Sequence, residues 1–81
     1  MFYIYFLKSK KDGNLYKGRT NNVEKRLQEH NTGRVQSTKS RQPLILLGYD
    51  ICLNELESVE LEREWKKGYK REELKKRFGL Q

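Results

Sequence analysis

Asp12-Gly13-Asn14 is the punctuation that most constrains what this chain can fold into. Asp-Gly between two strand-like runs signals a hairpin, because glycine reaches the positive φ that a tight reversal needs. The run before it, Phe2-Tyr3-Ile4-Tyr5-Phe6-Leu7, is aromatic and β-branched and suits a strand. It is apolar at every position, which predicts a strand covered on both faces, in the middle of its sheet. Leu15-Tyr16-Lys17-Gly18-Arg19 is then the return strand, antiparallel to the first. Everything downstream has to cover this hairpin or extend it.

Thr20-Asn21-Asn22 supplies three helix-capping side chains, and Glu24 suits the positive end of the helix that follows. The pattern predicts a helix from about Val23 to Asn31, with Gly33 as terminator. At helical spacing Val23, Arg26, Leu27 and His30 fall on one stripe, so the apolar contact face also carries an arginine and a histidine. Residues 33–42 form a basic, hydroxyl-rich loop that Pro43 punctuates. Leu44 to Cys52 reads as a third strand, interrupted or bulged near Gly48. Asn54 caps a helix that runs to about Lys67 and ends before Gly68, with Ser58, Leu61 and Trp65 on one side and Glu62 beside them. A last short helix, Lys70 to Phe78, turns Leu74 and Phe78 inward. The order β-β-α-β-α-α predicts an α/β (α+β) fold: a small, mostly antiparallel three-stranded sheet covered by helices, one domain over residues 1–81.

Composition limits the partners. Charged residues (36%) match hydrophobic ones (35%), a balance that permits disorder. The periodic apolar segments and the five Tyr, three Phe and one Trp argue instead for a folded core. A net charge of +7 favours polyanions through phosphate neutralisation, although solubility alone also selects basic surfaces. With one cysteine, Cys52, and one histidine, an intramolecular disulfide and a structural zinc site both lack partners, which is compatible with a reducing cytoplasm. The apolar runs are too short to span a bilayer, and the first residues lack the pattern of a secretion signal. The expectation is a cytoplasmic protein with no membrane partner.

Residues 16–30 concentrate the chemistry. Tyr16, Arg19, Arg26 and His30 can all bind a phosphate or move protons around one. The whole chain resembles the small stand-alone bacterial members of the GIY-YIG nuclease superfamily. Tyr3-Ile4-Tyr5 stands as the first half-motif and Tyr16-Lys17-Gly18 as the second. Arg19, the turn Thr20-Asn21-Asn22, Arg26 and His30 follow in register, then Asn31-Thr32-Gly33 and Thr38-Lys39-Ser40-Arg41-Gln42-Pro43. Glu62 matches the helical glutamate that holds the metal in that family. Tyr3 replaces the glycine of the first half-motif and Lys17 the isoleucine of the second. The asparagine that some members carry after the metal glutamate has no counterpart here.

The resemblance implies a metal-dependent endonuclease that hydrolyses DNA phosphodiester bonds, with structured or branched DNA in repair or recombination as candidate substrates. It implies Tyr5, Tyr16, Arg26, His30 and Glu62 as catalytic residues, with Glu62 the ligand of Mg²⁺ or Mn²⁺. Lys17, Arg19, Asn22, Thr38, Lys39 and Arg41 are the expected DNA contacts. Such hydrolysis needs a deprotonated water, a clamp on the phosphoryl oxygens and help for the leaving oxygen. Arg26 suits the clamp, either tyrosine could take the water's proton, and His30 could relay it. Each residue also has a plain structural alternative. The tyrosines are ordinary strand aromatics, His30 could be a satisfied boundary histidine, Arg26 could snorkel, and Glu62 could pair with Lys66 on the helix surface. Two other functions stay open: a catalytically weak or inactive nucleic-acid-binding module of the same fold, and an interaction subunit that needs a protein partner. Oligomeric state is not readable.

Overall fold

β1 (Phe2–Ser9) and β2 (Leu15–Thr20) pair antiparallel through the reversal at Asp12-Gly13, where Gly13 takes a φ of 74° and the Asp12 carboxylate accepts the Asn14 N–H at 2.9 Å. The structure is a computed structural model that describes residues 1–80. β3 (Leu44–Cys52) pairs antiparallel with the other side of β1, so the order β2-β1-β3 puts the all-apolar strand in the centre. The sheet is wholly antiparallel. Pairing passes from Phe6 opposite Gly48 to Leu7 opposite Leu46, leaving Leu47 as the extra residue of a bulge beside the expected glycine. A Cβ on Gly48 would come within 2.8 Å of the Phe78 ring, so the glycine makes room for that aromatic.

Alternation along β1 divides the interior into two cores. Ile4 and Phe6 meet Cys52, Trp65 and Leu74 under the helices α2 (Glu55–Trp65) and α3 (Lys70–Arg77). Tyr5 and Leu7 meet Leu44, Tyr16, Val23 and Leu27 under α1 (Val23–Asn31). Asn22 and Asn54 cap α1 and α2 by accepting the N–H groups of Lys25 and Glu57. The second helix stops at Trp65, short of Lys67, and Phe78 is the cap of α3 rather than its last turn. Among the described residues no helix is long and apolar enough to cross a membrane.

One expectation needs correction. Residues 33–42 are not simply a loop: Gln36–Arg41 form a 3₁₀ helix, and Thr38 inside it is fully buried. Its polar composition concealed this because the group that takes up the Thr38 hydroxyl lies on α1.

Side chains, not backbone ladders, tie this segment to the sheet. Ser9 Oγ donates to the Arg41 carbonyl at 2.6 Å. Asn31 accepts the Leu44 N–H at 2.7 Å and donates to the Leu44 carbonyl at 2.9 Å, fastening the end of α1 to the start of β3. Asn31→Ala leaves both backbone groups of buried Leu44 without that partner. Its expected cost is about 1–3 kcal/mol, read by thermal or urea unfolding. An unchanged midpoint would show that solvent replaces the bridge.

Candidate active site

The register decides which side chains meet. Tyr5 faces Gly18 across the β1–β2 pair. A Cβ at position 18 would collide with the Tyr5 hydroxyl and ring, so the glycine is the opening across which the phenol lies. The Tyr5 oxygen sits 2.9 Å from His30 Nε2, and His30 Nδ1 sits 2.7 Å from Thr38 Oγ1. Arg26 Nε donates to the same Tyr5 oxygen at 3.4 Å, while its Nη1 pairs with Glu29 at 3.3 Å. The sequence therefore builds a line of polar groups, Arg26–Tyr5–His30–Thr38, that crosses from α1 through the central strand to the 3₁₀ helix. His30 and Arg26 reach it from the inward stripe of α1 because they are one turn apart.

Tyr16 packs edge-on against His30, with ring centroids 5.9 Å apart, and is half-buried. Its neighbour Lys17 points to the opposite face, as strand alternation requires. Arg19 shares the Lys17 face and meets α2, where Glu62 lies 3.7 Å from Arg19 Nε and 3.4 Å from Lys66 Nζ. The candidate site thus straddles edge strand β2, with Tyr5, Tyr16, Arg26 and His30 on one side and Arg19 and Glu62 on the other. Beside it runs an open groove of about 280 Å³ whose walls include Arg19, Asn22, Lys25 and Arg26. That shape suits a backbone phosphate better than a small enclosed molecule.

The other expected contacts distribute unevenly. Lys39 is exposed, and Arg41 pairs with Asp12 at 3.8 Å beside the hairpin turn. Asn22 commits its side-chain oxygen to the α1 cap. Thr38 has no surface to offer a phosphate, since it is fully buried against His30. Its true neighbour was missed because the two residues are eight apart on different elements, where no periodicity links them. The steric role of Gly18 was also unread, although a glycine opposite a tyrosine in a predicted hairpin is the signal that could have shown it.

Burial sets the protonation states. Desolvation pushes the Tyr5 phenol above its ordinary 10.0 despite the opposing pull of Arg26, and the Glu62 charge adds to the rise. His30, fully buried, is pushed below 6.5 by desolvation first and by the Arg26 charge second. At neutral pH both are uncharged, so the imidazole carries one donor and one acceptor nitrogen. Lys17 is lowered by burial and by the nearby Arg71 and Lys66 cations.

Among the described residues no three His, Cys, Asp or Glu side chains cluster for a metal. Two carboxylates lie near the candidate residues: Glu62 beside Arg19 and Lys66, and Glu29 beside Arg26 on the groove. A hydrated Mg²⁺ is commonly held by one or two carboxylates and completes its shell with water and substrate phosphate. Glu62 fits that donor set once Arg19 and Lys66 release it.

Comparison with known proteins gives a consistent answer. The profile of the GIY-YIG catalytic domain matches residues 1–77. A UPF0213 protein of Staphylococcus haemolyticus is 36% identical over 74 residues, covering 90% of this chain and 89% of the relative. Another from Clostridium perfringens is 41% identical over 68 residues, covering 83% and 72%. The solution NMR structure of the UPF0213 protein BH0048 from Bacillus halodurans superposes with a TM-score of 0.56 at 32% identity, covering 91% of this chain and 82% of that one.

Two outcomes test the geometry without any activity. Gly18→Ala is expected to force the Tyr5 ring aside and to lower stability by about 1–3 kcal/mol, the usual range for overpacking. An unperturbed melt would mean that β2 shifts to accept the methyl. The second concerns pH. Because the folded state lowers the His30 pKa, the unfolded chain binds the proton more readily. The stability this residue contributes is complete above pH 6.5 and is lost as pH falls below that value towards the native pKa. His30 is the chain's only histidine, so melts of His30→Gln should lose this part of the acid slope. An identical slope in the variant would refute a neutral buried imidazole.

Proposed function

This chain belongs to the GIY-YIG catalytic domain family, a nuclease superfamily, and from that premise we propose that residues 1–81 act as a divalent-metal-dependent DNA endonuclease. The single observation that carries the reading to particular residues is the line Arg26–Tyr5–His30–Thr38 beside a cationic groove. Nucleases of this family generally depend on a divalent metal. Glu62 would hold it, and the ion would neutralise charge on the phosphoryl and leaving oxygens.

Arg26 grips the scissile phosphate through its guanidinium fork, which in the free protein rests on Tyr5 and Glu29. Turning towards the phosphate uncovers the Tyr5 oxygen. A phenol with a raised pKa is not ionised in advance, so Tyr5 can accept the water's proton only by giving up its own. His30 Nε2, at 2.9 Å, is the acceptor, provided that Nδ1–H is the proton held by the Thr38 oxygen. The water oxygen then bonds to phosphorus, the bond to the 3′ oxygen breaks, solvent protonates the leaving group, and the proton on buried His30 returns through Tyr5 to solvent. Among the described residues the Tyr16 hydroxyl has no such proton acceptor, so it is better suited to orienting water or phosphate. Arg19 and Lys17 contact the flanking backbone. A reducing cytoplasm, with Cys52 buried and unpaired, is the compartment this reading assumes, and structured or branched DNA in repair or recombination is its candidate substrate.

One observation favours a weaker activity in the free protein. Glu62 is already neutralised by Arg19 and Lys66, so the ion competes with two cations until DNA draws them away. The chain is then a DNA-binding module that cuts only when substrate assembles the site.

Incubation of plasmid and synthetic branched DNA with and without Mg²⁺ or Mn²⁺ tests the proposal. Arg26→Ala is expected to lose about 10²–10³-fold in rate, as for removal of one charge-stabilising donor, and Glu62→Ala a comparable factor. Tyr5→Phe is expected to lose about 10²–10⁴-fold, the usual contribution of a general base, and Tyr16→Phe clearly less. Folded Arg26→Ala and Glu62→Ala proteins that cut like wild type would sink the assignment. Equal losses for the two tyrosine variants would reverse their roles.

A further inference from the structure

The side-chain hydrogen bonds between α1 and β3 lie at one end of the helix. Asn31 ties its last turn to Leu44, while Val23, Glu24 and Leu27 near its start stand across a groove from Leu46 and Tyr49. This groove measures about 500 Å³, within the roughly 300–1,000 Å³ of small-ligand sites. Tyr49 is 47% exposed and meets Tyr3 at 84°, with centroids 5.5 Å apart, so two phenol rings form a right-angled corner. Asn21, Asn22 and Glu24 put amide and carboxylate groups on the same walls. Since the Asn22 oxygen is taken by the α1 cap, its NH₂ donors remain for a ligand.

Asn21 and Asn22 also form a wall of the cationic groove beside Arg26. The two grooves are therefore adjacent compartments with a shared partition. An aromatic corner with a few amide and carboxylate groups matches a nucleobase, which offers a π face and an edge of donors and acceptors. A net charge of +7 favours a strand carrying that base over a neutral peptide.

We propose that the groove between the first turn of α1 and Tyr49 is a nucleobase subsite, which takes one unpaired or extruded base of the strand whose phosphate lies at Arg26. It rests on the nuclease reading and narrows its substrate to DNA with an unstacked nucleotide, because a base held in the duplex stack cannot enter.

The test is fluorescence anisotropy in EDTA, with a labelled single-stranded oligonucleotide and its fully paired duplex as probes. Tyr49→Leu is expected to weaken single-strand binding by about tenfold, within the range that one base–aromatic stack supplies, while the duplex constant holds. Tyr49→Phe, which keeps the ring, should restore single-strand binding and so excludes loss of fold as the cause. Arg26→Ala should weaken both probes. If Arg26→Ala weakens both but Tyr49→Leu weakens neither, the phosphate site stands and the base subsite is overturned. Equal losses of both probes in Tyr49→Leu also overturn it. Wild-type protein that binds neither probe at low salt overturns the nuclease reading along with it. A dimer by sedimentation that Tyr49→Leu dissociates, with single-strand affinity unchanged, would assign the groove to a second copy of this chain instead.

Discussion

The hydrogen bond between the Tyr5 phenol and the fully buried imidazole of His30 is the contact on which the rest of the arrangement depends. It joins the central strand to α1, and through Thr38 it joins α1 to the 3₁₀ helix. It exists because Gly18 leaves the space across which the ring lies. A polar chain in a small core is costly unless each member finds a partner, and here each one does. The same burial that makes the chain structurally useful keeps His30 neutral and Tyr5 protonated, the states a proton relay requires. Stability and the proposed chemistry therefore draw on one set of contacts.

Charge is organised around that line rather than spread evenly. Of the two edge strands, β2 carries Lys17 and Arg19, whereas β3 carries only Asp50, which Arg77 neutralises at 2.6 Å while lying over the Phe6 ring. The basic edge borders the candidate catalytic groups and the neutral edge borders the aromatic corner at Tyr49. A polyanion is thus drawn to one side of the sheet, and the apolar compartment adjoins that side through the Asn21-Asn22 turn. Glu62 stands between two cations, 3.7 Å from Arg19 Nε and 3.4 Å from Lys66 Nζ. In the proposed mechanism, the pairing of this carboxylate with two cations makes DNA binding and site assembly one coupled event.

Much of this was legible because it follows from local rules. The Asp12-Gly13 reversal, the caps at Asn22 and Asn54, the α1 stripe of Val23, Arg26, Leu27 and His30, and the opposite facing of Tyr16 and Lys17 all depend on residues within a turn or two of each other. So did the bulge beside Gly48 and the central place of β1. The sequence by itself therefore determined the strands, the α-helices and their order, but not the 3₁₀ helix over Gln36–Arg41.

Only the tertiary structure decided how those side chains are connected. Thr38 reads as one more surface hydroxyl until α1 folds back and sets His30 against it. Glu62 reads as a helix-surface acid until packing of α2 against the sheet brings it to Arg19 across β2. Tyr49 reads as an ordinary strand aromatic until the start of α1 is set across a groove from it. In each case the partners are remote in the chain. Periodicity reports which face a residue takes on its own element, whereas the angle at which two elements pack decides what that face meets.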